Sequence, residues 1–329
     1  MSDLAPTLQG FFTERLLTQR RASPNTVASY RDTFRLLLNF ATARTGKAPS
    51  KLQLEDLDAV LIGSFLQHLE TDRHNSVRTR NTRLAAVHSL FAYAALHHPE
   101  HAALIQRVLA IPAKRTDRQL VSFLTHDEVD ALLSAPDRDT WIGRRDHALL
   151  LIAVQTGLRV TELTYLTRAD VDLGTGAHVR CDGKGRKERI TPLTTQACGV
   201  LRVWLAERGG EPGDPLFPSR RRGPLSRDAV ALLVAKHAAA ASQRCPSLGG
   251  KTVSPHVLRH TCAMSLLAVG VDTSVIALWL GHEGIETTQI YLHADLAIKE
   301  RALARTAPAS IKPGRYRPPD TLLAYLDAL

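Results

Sequence analysis

Through the first 110 or so residues, apolar positions return every three to four residues, as on a helix with one buried face. Leu8 to Gln19 has this spacing. Ser23-Pro24-Asn25-Thr26 opens a second helix, with proline in the first turn where its missing N–H costs nothing. Val27, Tyr30, Phe34, Leu37, Leu38 and Ala41 continue its apolar face. A third helix is expected from about Leu54 to Thr71 and a fourth from about Val77 to Leu96. The fourth carries Arg78, Arg80 and Arg83 near its start, and Arg80 and Arg83, three apart, share a face. A solvated helix surface and a contact to a polyanion explain that group equally well. No strand alternation occurs in this half.

From Ile111 to Arg118 the pattern breaks into a charged, proline-containing stretch that reads as a linker. Beyond it, Thr125-His126-Asp127-Glu128 has the form of a capping box, and helices are expected at about 126–134 and 143–155. Val179–Asp182 and Arg189–Leu193 flank a glycine-containing turn and predict a β-hairpin with Lys184 to Lys187 at its tip. Further helices are expected near 194–208, 226–241, 254–269, 272–280 and 285–296. A Pro/Arg stretch at 313–319 leads to an apolar cluster, Leu322, Leu323, Tyr325, Leu326 and Leu329. The pattern predicts a mainly α chain with a small β-sheet (α+β). Its parts are a helical domain at 1–112, a linker at 113–120, a second domain at 121–300 and a tail at 301–329.

Composition narrows the class. With 329 residues and 44% hydrophobic positions, the chain can bury two cores. No apolar run approaches the roughly 18 residues of a membrane span, and the start, MSDLAPTLQG, lacks the form of a secretion signal. The cysteines, Cys181, Cys198, Cys245 and Cys262, form no C-x-x-C pair. Four reduced thiols in a cytoplasmic protein are therefore expected. The net charge is +10. Residues 1–120 hold 16 Lys and Arg against 10 Asp and Glu, and the remainder 26 against 22. Both halves are basic, so the charge is not a single tail and suits a polyanionic partner gripped from two sides.

Four segments carry candidate chemistry. In Thr156-Gly157-Leu158-Arg159-Val160-Thr161-Glu162-Leu163 the glycine ends one helix and the arginine begins another. An arginine at such a corner can fork onto a phosphate, or pair structurally with a carboxylate such as Glu162. Gly183-Lys184-Gly185-Arg186-Lys187-Glu188-Arg189 is a basic hairpin tip that, alone, fits a solvated turn best. In Ser254-Pro255-His256-Val257-Leu258-Arg259-His260, serine caps and proline starts a helix. His256 and Arg259 then share its face near the N-terminus, where anions bind. A zinc pair of His256 and His260 would want an H-E-x-x-H glutamate, but position 257 is valine. Finally, Leu280-Gly281-His282 ends a helix and Tyr291 lies on the next. A lone tyrosine on such a face is more often core than nucleophile, so its weight comes from its neighbours.

Together and in this order, TGLRVTEL, GKGRKER with TPL, SPHVLRH and LGHEGIETTQIYLH resemble the tyrosine recombinases, the phage-integrase family, and especially its Xer-like members. The resemblance is close over 121–298 and looser over 7–110. It implies a SAM-like helical core-binding domain and a catalytic domain forming a clamp on double-stranded DNA. It also implies site-specific strand breakage and rejoining through a 3′-phosphotyrosine, without metal or other cofactor. The six catalytic positions would be Arg159, Lys184, His256, Arg259, His282 and Tyr291, with Lys187 the fallback for Lys184. Family members work as homo-tetramers, or as hetero-assemblies of related recombinases, on specific DNA sites, and the 301–329 tail is a candidate protomer-docking segment. Mobile-element integration or excision is the expected role. Xer-type dimer resolution, type IB topoisomerase-like relaxation and non-catalytic DNA-binding regulation are the alternatives.

Overall fold

The computed structural model describes residues 4–116, 121–182, 188–282 and 288. Lys184, Lys187, Tyr291, the helix expected at 285–296 and the 301–329 tail lie outside the described residues. The chain divides into two compact units, Met1–Arg118 and Gln119–Leu329.

The first unit is helical throughout its described elements. Helix α1 (Leu4–Gly10) runs on into a stretch of wider, π-type spacing, Phe11–Gln19. Then come α2 (Pro24–Thr45), α3 (Ala59–Thr71), α4 (Val77–His97) and α5 (Ala102–Leu109). Ser23 caps α2 by accepting from the Thr26 amide at 3.2 Å, and Gly46, at φ +70°, ends it. The third helix starts later than its apolar pattern suggests. Asp58 takes the Leu61 amide at 2.7 Å and so becomes the cap, leaving Leu54–Leu57 as a 3₁₀ turn that still buries both leucines. Helix α5 escapes pattern reading because it is short and buries only Ile105 and Val108. Phe11, Phe34, Leu37, Ile62, Phe65 and Phe91 centre the core, each such side chain contributing roughly 1.5–3 kcal/mol by leaving water.

Arg80 is part of that packing. It is buried, and its Nη1 donates to the Pro112 carbonyl at 3.1 Å and to Asn81 Oδ1 at 3.0 Å. Asn81 in turn brackets Lys114, donating to its carbonyl and accepting from its amide. The start of α4 thus holds the chain at 112–114, and Arg80 is part of the fold and not a solvated surface residue.

The second unit contains α6 (His126–Leu133), α7 (Trp141–Thr156), α8 (Val160–Tyr165), α9 (Thr195–Arg208), α10 (Arg227–Ala241), α11 (Pro255–Ala268) and α12 (Thr273–Leu280). Between α8 and α9 lies an antiparallel sheet of β1 (Val171–Asp172), β2 (His178–Asp182) and β3 (Glu188–Pro192), in that order. The hairpin forms as its pattern suggests, with Cys181 opposite Arg189, and β1 adds a third strand. Helix α7 is buried continuously from Arg145 to Ala153, and α9 and α11 pack against it. Such all-round burial marks the central element of a domain. Two polar clusters brace it. The capping-box Glu128 binds Lys251 Nζ at 2.6 Å and the Ser247 hydroxyl at 2.7 Å. Asp146 holds Arg145 on one oxygen and His237 Nε2, at 2.8 Å, on the other.

Candidate active site

Helix α7 ends at Gly157, φ +62°. A Cβ there would sit 2.6 Å from Leu280 Cδ2 and 3.1 Å from Cys262 Sγ. Glycine therefore serves the left-handed turn and also lets α11 and α12 approach the corner. Two residues on, Arg159 occupies the cap position of α8 in an extended conformation. Its amide donates to Glu162 Oε2 at 2.6 Å and its Nη1 to Oε1 at 2.8 Å. The structural pairing with Glu162 is thus real, yet it does not exhaust the arginine. Nη2 reaches the Gly281 carbonyl at 2.8 Å, and the side chain remains 30% exposed.

Glu162 has a second partner. Arg189 forks onto it from β3, with Nη1 to Oε1 at 2.8 Å and Nη2 to Oε2 at 2.7 Å. Burial alone would raise this carboxyl. The Arg189 fork, the Arg159 amide, the Arg189 charge and the Arg159 side-chain hydrogen bond outweigh it and bring the carboxyl down to about 2.

Ser254 caps α11 and Pro255 occupies its first turn. His256 is exposed at that first turn, whereas Arg259, one turn further, is buried. Arg259 Nη1 donates to the Gly157 carbonyl and Nη2 to the Leu280 carbonyl, both at 2.6 Å. It therefore ties the C-terminal ends of α7 and α12, whose last carbonyls lack helical partners. The His260 ring stands edge-on to His256, with centroids 4.7 Å apart. Burial, then the charges of His256 and Arg259, depress His260 to about 4. Among the described residues, no group of three or more His, Cys, Asp or Glu is placed to hold a metal ion.

Gly281, φ +64°, ends α12 and releases His282 into the corner. The His282 amide donates to the Ala277 carbonyl at 2.9 Å, and its Nδ1 lies 2.7 Å from the Thr288 hydroxyl. Burial, then Arg259, Arg159 and Arg189 in that order, push this imidazole down to about 4. Burial first, and the nearby guanidinium charges second, keep it neutral at neutral pH.

The corner thus collects Arg159, Arg259 and His282, with His256 one turn from Arg259 on α11. Lys184 and Tyr291 lie outside the described residues. Arg189 and Thr288 were not singled out by sequence reasoning. The sequence held no signal for Arg189: in β3, Glu188, Ile190 and Pro192 are exposed while Arg189 is half-buried and Thr191 buried, so the apolar Ile190 faces out where an apolar–polar pattern would have turned it in. Strand alternation therefore turns this arginine inward, away from the solvated tip.

Residues 122–297 match the profile described as the phage integrase family, and residues 10–98 match the phage integrase N-terminal SAM-like domain. The protein y4rC of Sinorhizobium fredii, named as an integrase/recombinase, is 59% identical over 329 residues, covering 100% of this chain and 99% of its own. The tyrosine recombinase XerC of Pelobacter propionicus is 34% identical over 291 residues, covering 87% of this chain and 90% of its own. In fold, the XerH site-specific recombinase, solved on its palindromic difH substrate after cleavage, superposes with a TM-score of 0.69 at 22% identity, over 87% of this chain and 81% of its own. With its family profile, its relatives and its two-unit fold in agreement, the chain belongs to the phage integrase family, the tyrosine recombinases, enzymes that cut and rejoin DNA strands.

Proposed function

We propose that this enzyme acts on specific sites in double-stranded DNA and holds the scissile phosphate against Arg159 and Arg259, with Tyr291 as the nucleophile. The observation that carries this is the convergence of Arg159, Arg189 and Arg259 on one corner beside His282. So much fixed cationic charge around a neutral imidazole suits a site built for an anion.

The Tyr291 hydroxyl oxygen attacks phosphorus, a 3′-phosphotyrosine bond forms, and the bond to the leaving 5′ oxygen breaks. A free DNA hydroxyl later reverses the step, so the phosphodiester energy is conserved. Tyrosine, with an ordinary pKa of about 10, needs help losing its proton at neutral pH. His256 takes it. Lys184, or Lys187 if the hairpin register differs, protonates the departing 5′ oxygen. Negative charge grows on the non-bridging oxygens of the pentavalent transition state, where Arg159 and Arg259 stabilise it. His282, neutral and hydrogen-bonded through Nδ1 to Thr288, contributes a further hydrogen bond from Nε2 in the tautomer that carries its proton there. No step calls on a metal or cofactor.

Residues 1–112 form the core-binding domain and 121–300 the catalytic domain, with 113–120 linking them. Two sites and four cuts call for a tetramer on DNA, of this chain alone or with related recombinases. The 301–329 tail supplies a docking contact between protomers, and the enzyme works in the cytoplasm. Mobile-element integration or excision is favoured by the naming of y4rC.

The test is a denaturing gel. Wild-type protein is mixed with nicked duplexes drawn from the flanks of its gene and quenched in SDS. A slow-migrating protein–DNA band that disappears with Tyr291→Phe supports the reading. A band that persists with Tyr291→Phe overturns the nucleophile.

A further inference from the structure

We propose that Arg189 is a positioning residue that sets the guanidinium of Arg159 through their shared partner, Glu162. The inference rests on the reading of Arg159 as a phosphate ligand. Glu162 is buried and accepts from both arginines: Arg189 occupies each of its oxygens at 2.7 and 2.8 Å, while Arg159 Nη1 takes Oε1 at 2.8 Å. The carboxylate cannot rotate without breaking the fork, so the direction of Arg159 Nη1 is inherited from Arg189. Arg189 is itself held from two sides. Its side chain is 10% exposed, and it packs beneath Gly281, where an added Cβ would lie 2.8 Å from Nη1 and 3.2 Å from Cδ. The Gly281 carbonyl is the other acceptor of Arg159. β3, α8 and the end of α12 thus meet at Arg189. A lysine keeps the charge but cannot fork.

The experiment uses full-length protein and a nicked duplex whose cleavage point is mapped from the DNA bound covalently to wild type. Arg189→Lys, Arg189→Ala and Arg159→Ala are compared with wild type on the natural phosphate and on a methylphosphonate at that point. The methylphosphonate carries no charge for Arg159 to stabilise. The expected result is covalent-complex formation slowed about 10–100-fold by Arg189→Lys on phosphate, in the range seen when a group orienting an active-site ligand is lost. On methylphosphonate the gap closes to within about threefold of wild type, as it does for Arg159→Ala. Arg189→Lys at wild-type rate on phosphate overturns the proposal, because charge alone then suffices. An equal deficit on both substrates also overturns it, since the loss then does not run through the charge on the phosphate. If the deficit of Arg159→Ala itself persists on methylphosphonate, the assignment of Arg159 fails instead. Arg189→Lys keeps the buried positive charge beside Glu162, so the comparison survives even if Arg189→Ala does not fold.

Discussion

Arg159 and Arg259 donate to two consecutive carbonyls, those of Gly281 and Leu280, at 2.8 and 2.6 Å. These groups close α12, where unpaired carbonyls carry partial negative charge. The two guanidinium groups are brought together by the protein's own backbone. For the proposed phosphate site, such fixed donors leave little to reorganise during the reaction.

Arg159→Ala is expected to slow covalent-complex formation by about 10²–10³. Arg189 still holds Glu162 in that variant, so the fold should survive. Single-turnover cleavage of a nicked duplex measures the rate. A loss smaller than about tenfold would remove Arg159 from the list of phosphate ligands.

Glu162→Ala leaves Arg189, 10% exposed, without its carboxylate. Breaking a buried pair in this way costs roughly 3–5 kcal/mol. Trp141, Trp204 and Trp279, the only tryptophans, all lie in the second unit. Urea unfolding followed by tryptophan fluorescence therefore reports this unit alone, and its midpoint should fall markedly. An unchanged midpoint would contradict the burial argument.

Acid should loosen the same corner in two steps. His260 and His282 titrate near 4 when folded and near 6.5 when unfolded. The unfolded chain binds more protons in that window, so stability is full above about 6.5 and is lost as pH falls toward about 4. Glu162 is depressed from 4.5 to about 2, so its contribution is present above 4.5 and drains away below it. Urea midpoints from pH 8 to 3 should decline through the first window and then the second. A flat profile between 7 and 5 would mean that neither imidazole is held neutral.

Gly157→Ala tests the corner itself. A left-handed conformation costs a non-glycine residue about 1–2 kcal/mol, and the new Cβ would meet Leu280 Cδ2 at 2.6 Å. Both a lower melting temperature and slower cleavage are expected, because the Gly157 carbonyl is also the acceptor of Arg259 Nη1. Retention of full activity would show that the corner tolerates the shift.

Arg80→Met should act on the first unit's fold and not on DNA charge. The slope of log affinity against log salt counts phosphate contacts and should stay unchanged. Meanwhile the segment beyond Pro112, released from Nη1, should become more sensitive to protease. A slope reduced by about one would return Arg80 to the phosphate contacts.

The sequence by itself determined the local architecture and the family. Ser23, Thr125 and Ser254 cap their helices, and Gly157 and Gly281 end theirs, because a cap bonds to amides three residues away and a left-handed turn concerns a single residue. Periodicity, caps and turns therefore placed most described helices and the hairpin, and the order of four motifs pointed to the family. Where a cap competed with the apolar pattern, as Asp58 does, the cap moved the boundary. The tertiary structure alone decided which carbonyl or carboxylate holds each arginine. Arg80 reaches 32 residues along the chain, Arg189 reaches back 27, and Arg259 reaches back 102. In sequence Arg80 and Arg189 are two among several arginines of their basic stretches, and only Arg259 was marked by its motif. Their roles depend on which carbonyl or carboxylate the packing of distant elements brings within hydrogen-bonding reach, and no local pattern encodes that distance.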